Sequence, residues 1–298
     1  MTSNKNLKHL QILGQCYKDL RISKGFSQDE AALDTISTAQ LSNFEHGKSA
    51  LSAPSFIDIL QNINVTTFEI QNLYNSRLLE NKDNLLFSSK ITDAYMERNS
   101  LKLKAVLSEI KAVLIQFPSN KKFKLDKVKC EAILFMLNPE IQIPQKDINF
   151  VKQYLYGLKE WGQYDILLLG YCASIFDIMT LADLSSHMIN PTNLNSELHY
   201  TKHAIIQTLN NLISFFTEKN QFSISQKFIN YLEDKGIHEY YMYDKITLQY
   251  NKAMLAYKQG DKSALDKMKQ YQEIIEACGC YNTAQMIEKE LKSLKLID

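Results

Sequence analysis

A chain of 298 residues is long for one small domain and suits one of about 70 residues followed by one of about 200. Its 45% hydrophobic and 22% charged residues exclude a disordered or fibrous chain. No apolar run nears the roughly 20 residues of a membrane span, and the polar start MTSNKNLKHL has no secretory h-region, so a cytoplasmic location is expected. A net charge of +1 carries no polyanion-binding signature. Cys16, Cys130, Cys172, Cys278 and Cys280 form no C-x-x-C pair, which predicts reduced core thiols, with Cys278 and Cys280 the only close pair.

The first predicted domain covers residues 1–75. Its bases Lys5, Lys8, Lys18, Arg21, Lys24 and Lys48 face the acids Asp19, Asp29, Glu30, Asp34, Glu45, Asp58 and Glu69. Ser27 followed by Glu30 is a capping box, so a short helix starts at Gln28 and turns Ala31 and Ala32 inward. Ser37 caps a second helix in which Leu41 and Phe44 face the core and Thr38, Ala39, Gln40 and Asn43 face outward. Gln and Asn can pair bidentately with adenine, and the methyls of Thr and Ala touch thymine methyls. This outer face therefore has the chemistry of a major-groove reader. Gly47 closes the helix, and Lys48 just beyond it suits a phosphate contact, as do Ser27, Gln28 and Ser42. Ser52 with Pro54, and Thr66 with Glu69, start two further helices. The strings SQDEAA and STAQLSNFEHGKS resemble the XRE-type helix-turn-helix, in which S/T-Q-x-x-x-A opens the second helix. The turn LDTI lacks the glycine often found there.

The polar stretch 76–89, centred on NKDN, reads as a linker. From residue 90 to 298 apolar stripes recur at helical spacing, among them Leu103, Val106, Leu107, Ile110, Val113, Leu114 and Phe117, and Ile205, Ile206, Leu209, Leu212, Ile213 and Phe216. Breaks at Phe117-Pro118, Asn138-Pro139, residues 157–162, Asn190-Pro191, Lys219-Asn220 and Gly260-Asp261 separate helices into pairs. Units of about 30 to 40 residues of this kind stack as tetratricopeptide-like solenoids. The fold class is all-α, a five-helix domain followed by a helical repeat.

The segment EWGQYDILLLGYC, Glu160 to Cys172, resembles the W-G-x-Y-E-L-x-L-F-G-N segment of the Rgg family of peptide-responsive regulators. ISTAQLSNFEHG is also closer to that family than to phage repressors. Asp165 stands where Glu is usual, and Tyr171 where the family often has Asn. The resemblance implies a homodimer that binds an operator and captures a short signalling peptide on the concave face of its repeats. Asparagine amides hold such a peptide's backbone, because one amide both donates and accepts. Asn210 best matches the family's asparagine, with Asn211 the competing choice. Asp177 is similar, either a ligand contact or an internal helix or loop contact. Tyr171, Tyr241, Tyr243 and Asn251 are further groove candidates. With Arg98 the only arginine beyond the linker, bidentate capture of a carboxylate is scarcely available, and a mostly apolar peptide is expected.

His199 and His203 stand four apart, but HYTKH lacks the glutamate of a zinc-protease motif. Phosphate-loop, dinucleotide and nucleophile-elbow strings are absent, so neither an enzyme nor a cofactor is expected. Two other readings stay open: a helical-repeat scaffold for a protein partner, and a DNA-binding regulator answering to a small molecule, pH or oxidation of Cys278 and Cys280.

Overall fold

The computed structural model describes residues 2–80, 87–190 and 199–295, and among these every regular element is a helix. The chain divides into two compact units, residues 1–87 and 88–298.

The first unit holds α1 (Thr2–Ser23), α2 (Gln28–Ala32), α3 (Thr38–Glu45), α4 (Ala53–Asn62) and α5 (Thr67–Glu80). Local sequence sets the starts. Ser27 and Glu30 close a reciprocal capping box, Ser37 accepts from the Gln40 amide at 3.2 Å, Ser52 from the Ser55 amide at 3.2 Å, and Thr66 pairs reciprocally with Glu69. α1 packs on α3 and α5 while α2 packs on α3 and α4, enclosing Cys16, Tyr17, Ala31, Ala32, Leu41, Phe44, Ile59 and Leu60. The α1–α3 approach is so close that a Cβ on Gly14 would stand 2.1 Å from the Phe44 carbonyl oxygen, so only glycine fits there. Tyr17 donates its hydroxyl to the Ile59 carbonyl at 3.1 Å, giving the buried phenol a partner.

Helices cover both ends of the stretch expected to be a linker. α5 continues to Glu80 because Leu78 is buried and Arg77 pairs with Asp19 of α1, and α6 (Phe87–Met96) covers the far end of the stretch. Its NKDN centre lies outside the described residues.

The second unit continues with α7 (Ser100–Gln116), α8 (Lys121–Leu137), α9 (Gln145–Tyr156), α10 (Gln163–Cys172), α11 (Ile178–Met188), α12 (His199–Glu218), α13 (Phe222–Lys235), α14 (Met242–Lys258), α15 (Ala264–Ala277) and α16 (Tyr281–Lys295). α8, α10, α12 and α14 pack on one another in succession, and each also packs on the helix that follows it. Six hydrogen bonds between stacked helices have nearly one sequence offset: Lys129 to Ser88 is 41 residues, Thr208 to Ile166 is 42, His203 to Asp244 and Asn251 to Asn210 are 41, and Tyr243 to Thr283 and Tyr250 to Glu290 are 40. A constant offset means parallel stacking in fixed register, with a repeat at or just above the expected range because each unit includes two helices and both connections.

Two apolar clusters fill this unit. One centres on Trp161, Leu169, Leu184, Leu209 and Phe216; the other joins α14, α15 and α16 through Tyr250, Met254, Met268, Ile275, Ile287 and Leu291. Trp161 is fully buried, and its indole nitrogen donates to His187 Nδ1 at 3.1 Å. Asp165 accepts from the Gly162 amide at 3.1 Å and from the Tyr154 hydroxyl at 2.5 Å, so it fixes the start of α10.

Candidate functional site

In the first unit, α3 presents Thr38, Ala39, Gln40 and Asn43 to solvent while burying Leu41, Phe44 and Glu45. All four base-reading candidates therefore share the exposed side. Ser42 is half-buried. Gly47, at a φ of 65°, ends the helix, and Lys48 is exposed just past it with its amide held by the Asn43 carbonyl at 2.8 Å.

What fixes α3 beneath that face is a buried ionic cluster. Arg21 donates from Nε and Nη2 to the two oxygens of Glu45, at 2.6 and 3.0 Å, and from Nη1 to the Phe26 carbonyl at 2.7 Å. Gln28 Nε2 donates to Glu45 Oε2 at 2.7 Å. The hydrogen bond to Glu45 pushes the Arg21 pKa further up. This bidentate pair ties the end of α1 to the end of α3 and aims Gln28, which keeps one amide hydrogen for another acceptor. It also corrects the charge inventory, since Arg21 is an internal strut and contributes no surface charge for DNA. Ser27 is similarly occupied: its hydroxyl donates to Glu30 at 2.7 Å and accepts from the Glu30 amide. The network is invisible to motif reading because 24 residues separate Arg21 from Glu45.

The candidates of the second unit separate into different roles. Asn210 is buried: its amide nitrogen donates to the Asp244 carbonyl at 3.1 Å, and its backbone carbonyl accepts from the Asn251 side chain at 2.8 Å. Asn210 and Asn251 are thus struts between α12 and α14. The Oδ1 atom of Asn210 is buried without a hydrogen-bond partner. Asn211, on the adjoining position, is exposed. His203, about two turns before Asn210 on α12, meets Asp244 Oδ2 at 3.1 Å and stacks on the Tyr241 ring at 4.5 Å between centroids. Burial raises the Asp244 pKa, opposed by His203. Tyr243 is exposed, its hydroxyl 3.3 Å from Thr283.

Asp177 is exposed and makes an internal contact. It caps α11, accepting from the Thr180 amide at 2.8 Å and the Thr180 hydroxyl at 2.6 Å, and these bonds hold its pKa below the ordinary carboxylate value. Tyr171 is half-buried, edge-on to Tyr95 at 5.4 Å, with Lys129 Nζ 4.6 Å from its ring centre. Lys129, which the sequence did not single out, is buried and donates to Ser88 Oγ at 3.1 Å. The cysteines divide as well: Cys16, Cys130 and Cys172 are buried, but Cys278 is exposed and Cys280 half-buried at the edge of the last apolar cluster, so Cys278 is not a core thiol.

No helix among the described residues is long and apolar enough to cross a membrane. The family model described as the C-terminal domain of the HTH-type transcriptional regulator Rgg matches residues 114–289, all within the second unit. Three solved structures share the fold over nearly the whole chain. The SHP pheromone receptor Rgg2 of Streptococcus dysgalactiae superimposes with a TM-score of 0.73 at 22% identity, covering 94% of this chain and 99% of its own. A Listeria monocytogenes EGD-e structure described as a transcriptional regulator gives 0.75 at 15%, covering 95% and 97%. The PrgX/cCF10 complex gives 0.72 at 13%, covering 96% and 92%. The match over more than half of the chain carries the assignment, and the chain belongs to the Rgg family of helix-turn-helix transcriptional regulators.

Proposed function

We propose that the chain is a cytoplasmic homodimer that binds an operator through α3 and whose DNA binding is controlled by a short, mostly apolar signalling peptide held along the α8–α10–α12–α14 row. The observation that carries the DNA half is the exposed row Thr38, Ala39, Gln40 and Asn43 on a helix locked from beneath by Arg21, Glu45 and Gln28. In this reading Thr38, Gln40 and Asn43 read base edges, Ala39 meets a thymine methyl, and Ser27, Gln28, Ser42 and Lys48 position the phosphate backbone. The near-balanced charge favours two copies acting together, since one domain makes few phosphate contacts.

The peptide half draws on the family and on the receptors that share the fold, one of them a receptor for SHP pheromones and another seen in complex with cCF10. Asn211, Tyr171 and Tyr243 are the accessible contacts in this reading. Asn210 and Asn251 act chiefly by holding the row in register, Tyr241 by bracing His203, and Asp177 by starting α11. The reading contains no catalytic step and no cofactor.

Gel shifts against the DNA upstream of its own gene test the first half. Replacing Gln40 and Asn43 by alanine together removes two bidentate base contacts, so operator affinity falls about 30-fold or more while non-specific binding and the melting temperature stay put. Retained operator preference would remove α3 from the reading. Calorimetry with short apolar peptides tests the second half.

A further inference from the structure

The three cysteines with no access to solvent are Cys16, Cys130 and Cys172, and burial raises the pKa of each, to about 12 for the last two. Cys278 and Cys280 differ in kind and sit together where α15 meets α16. Cys278 caps α15; Gly279 follows at a φ of 77°; the Gly279 amide bonds to the Glu276 carbonyl at 2.8 Å and the Cys280 amide to the Ile275 carbonyl at 3.1 Å. These two bonds define a Schellman turn, which needs a glycine at its left-handed position and commonly packs the residue after it on the side chain five before. Cys280 packs against the α14–α15–α16 core that contains buried Ile275, while Cys278 stands in solvent.

A single residue separates the two cysteines within a tight turn, which holds their Cα atoms inside the roughly 4.4–6.8 Å that a disulfide bridges. We propose that Cys278-Gly279-Cys280 is a thiol–disulfide exchange site whose reactant is a low-molecular-weight disulfide. The exposed Cys278 thiolate attacks one sulfur of that disulfide, forming a mixed disulfide and releasing the first small thiolate. Cys280 then attacks the Cys278 sulfur, forming the Cys278–Cys280 bond and releasing the second. Two thiol protons pass to solvent or to the departing thiolates, and the two electrons lost by the cysteines reduce the small disulfide to two thiols. The bridge cannot form without drawing Cys280 away from that core or distorting the turn. Oxidation therefore loosens the junction of α15 and α16, and with it the core shared with α14, which carries Tyr243 and Asn251.

The test is incubation of the full chain with glutathione disulfide, followed by intact mass, peptide mapping and thermal melting. The expected product is lighter by about 2 Da, carries a Cys278–Cys280 link with Cys16, Cys130 and Cys172 still free, and melts lower by about 2–4 °C, reversibly with a reducing thiol. Cys280→Ser should stop at a glutathione adduct on Cys278, and Cys278→Ser should react slowly or not at all. A persistent adduct on wild-type Cys278, a disulfide between two chains, or no reaction overturns the exchange site. An unchanged melting temperature in the bridged protein overturns the loosening of the junction. None of these readouts involves DNA or peptide, so they stand apart from the reading of the regulator.

Discussion

Leu33 ends α2 with a φ of 42° and a ψ of −144°, a conformation that favours glycine, and the residue is 65% exposed. It opens the turn LDTI, where the helix-turn-helix pattern often carries glycine, so the departure visible in the sequence corresponds to a strained residue. A non-glycine residue in such a region costs about 1–3 kcal/mol. Glycine would relieve it at about 0.5–1 kcal/mol of extra backbone entropy and lose almost no packing. Leu33→Gly should therefore stabilise the first unit by about 1 kcal/mol, seen as a rise of about 4–8 °C in the melting of a domain this size. A fall would mean that Leu33 is held by contacts its exposure does not suggest. The serine and threonine caps were legible because a cap is written within four residues. Asp177 was equally local, four residues DIMT with the acceptor and its partner in plain view, yet the sequence left it open between a ligand contact and an internal helix or loop contact, and the structure makes it the cap of α11.

Helix identity and most breaks were readable from apolar spacing and from Pro, Gly and Asn at the joints. Helix register was not, because it depends on side chains about 41 residues apart that no window spans. This matters most for Asn210 and Asn211. Adjacent in sequence, they point about 100° apart on α12, and only the packing of α14 decides which amide is buried. The roles assigned to the two asparagines make opposite predictions. Asn251→Ala and Asn210→Ala each lose an inter-helix hydrogen bond and should cost about 1–2 kcal/mol of stability. Asn211→Ala should leave stability within about 0.5 kcal/mol and weaken peptide binding instead. Melting curves read beside peptide titrations decide the matter: an Asn210→Ala chain that melts normally but binds poorly would make Asn210 the ligand contact.

At the scale of the whole molecule the two units handle their carboxyl groups differently, which gives them different responses to acid. In the first unit the exposed Glu30 and Glu69 are held below their ordinary pKa by the backbone and hydroxyl bonds of Ser27 and Thr66. A depressed pKa contributes stability that is present above the unfolded value and is lost as pH falls through the folded one, so acidification from pH 7 to 5 leaves these caps intact. In the second unit burial raises the pKa of Asp126, Glu131 and Asp244, the pull of nearby lysines or His203 notwithstanding. A raised carboxyl pKa means that the folded state takes up the proton first. Its contribution is fully present below the unfolded value, about 4, and is lost as pH rises through the folded one. Asp126 is the clearest case, fully buried with Oδ1 unpartnered although Lys122 reaches Oδ2 at 3.0 Å. Lowering the pH from 7 towards 5 should therefore raise the melting temperature associated with the repeat core while that of the five-helix core stays nearly level. Asp126→Asn should recover part of that gain at pH 7 and show a shallower rise with acid. Calorimetric scans of both proteins at pH 7, 6 and 5 give the comparison, and parallel slopes for wild type and Asp126→Asn would mean that Asp126 is already neutral, or fully compensated by Lys122, at pH 7.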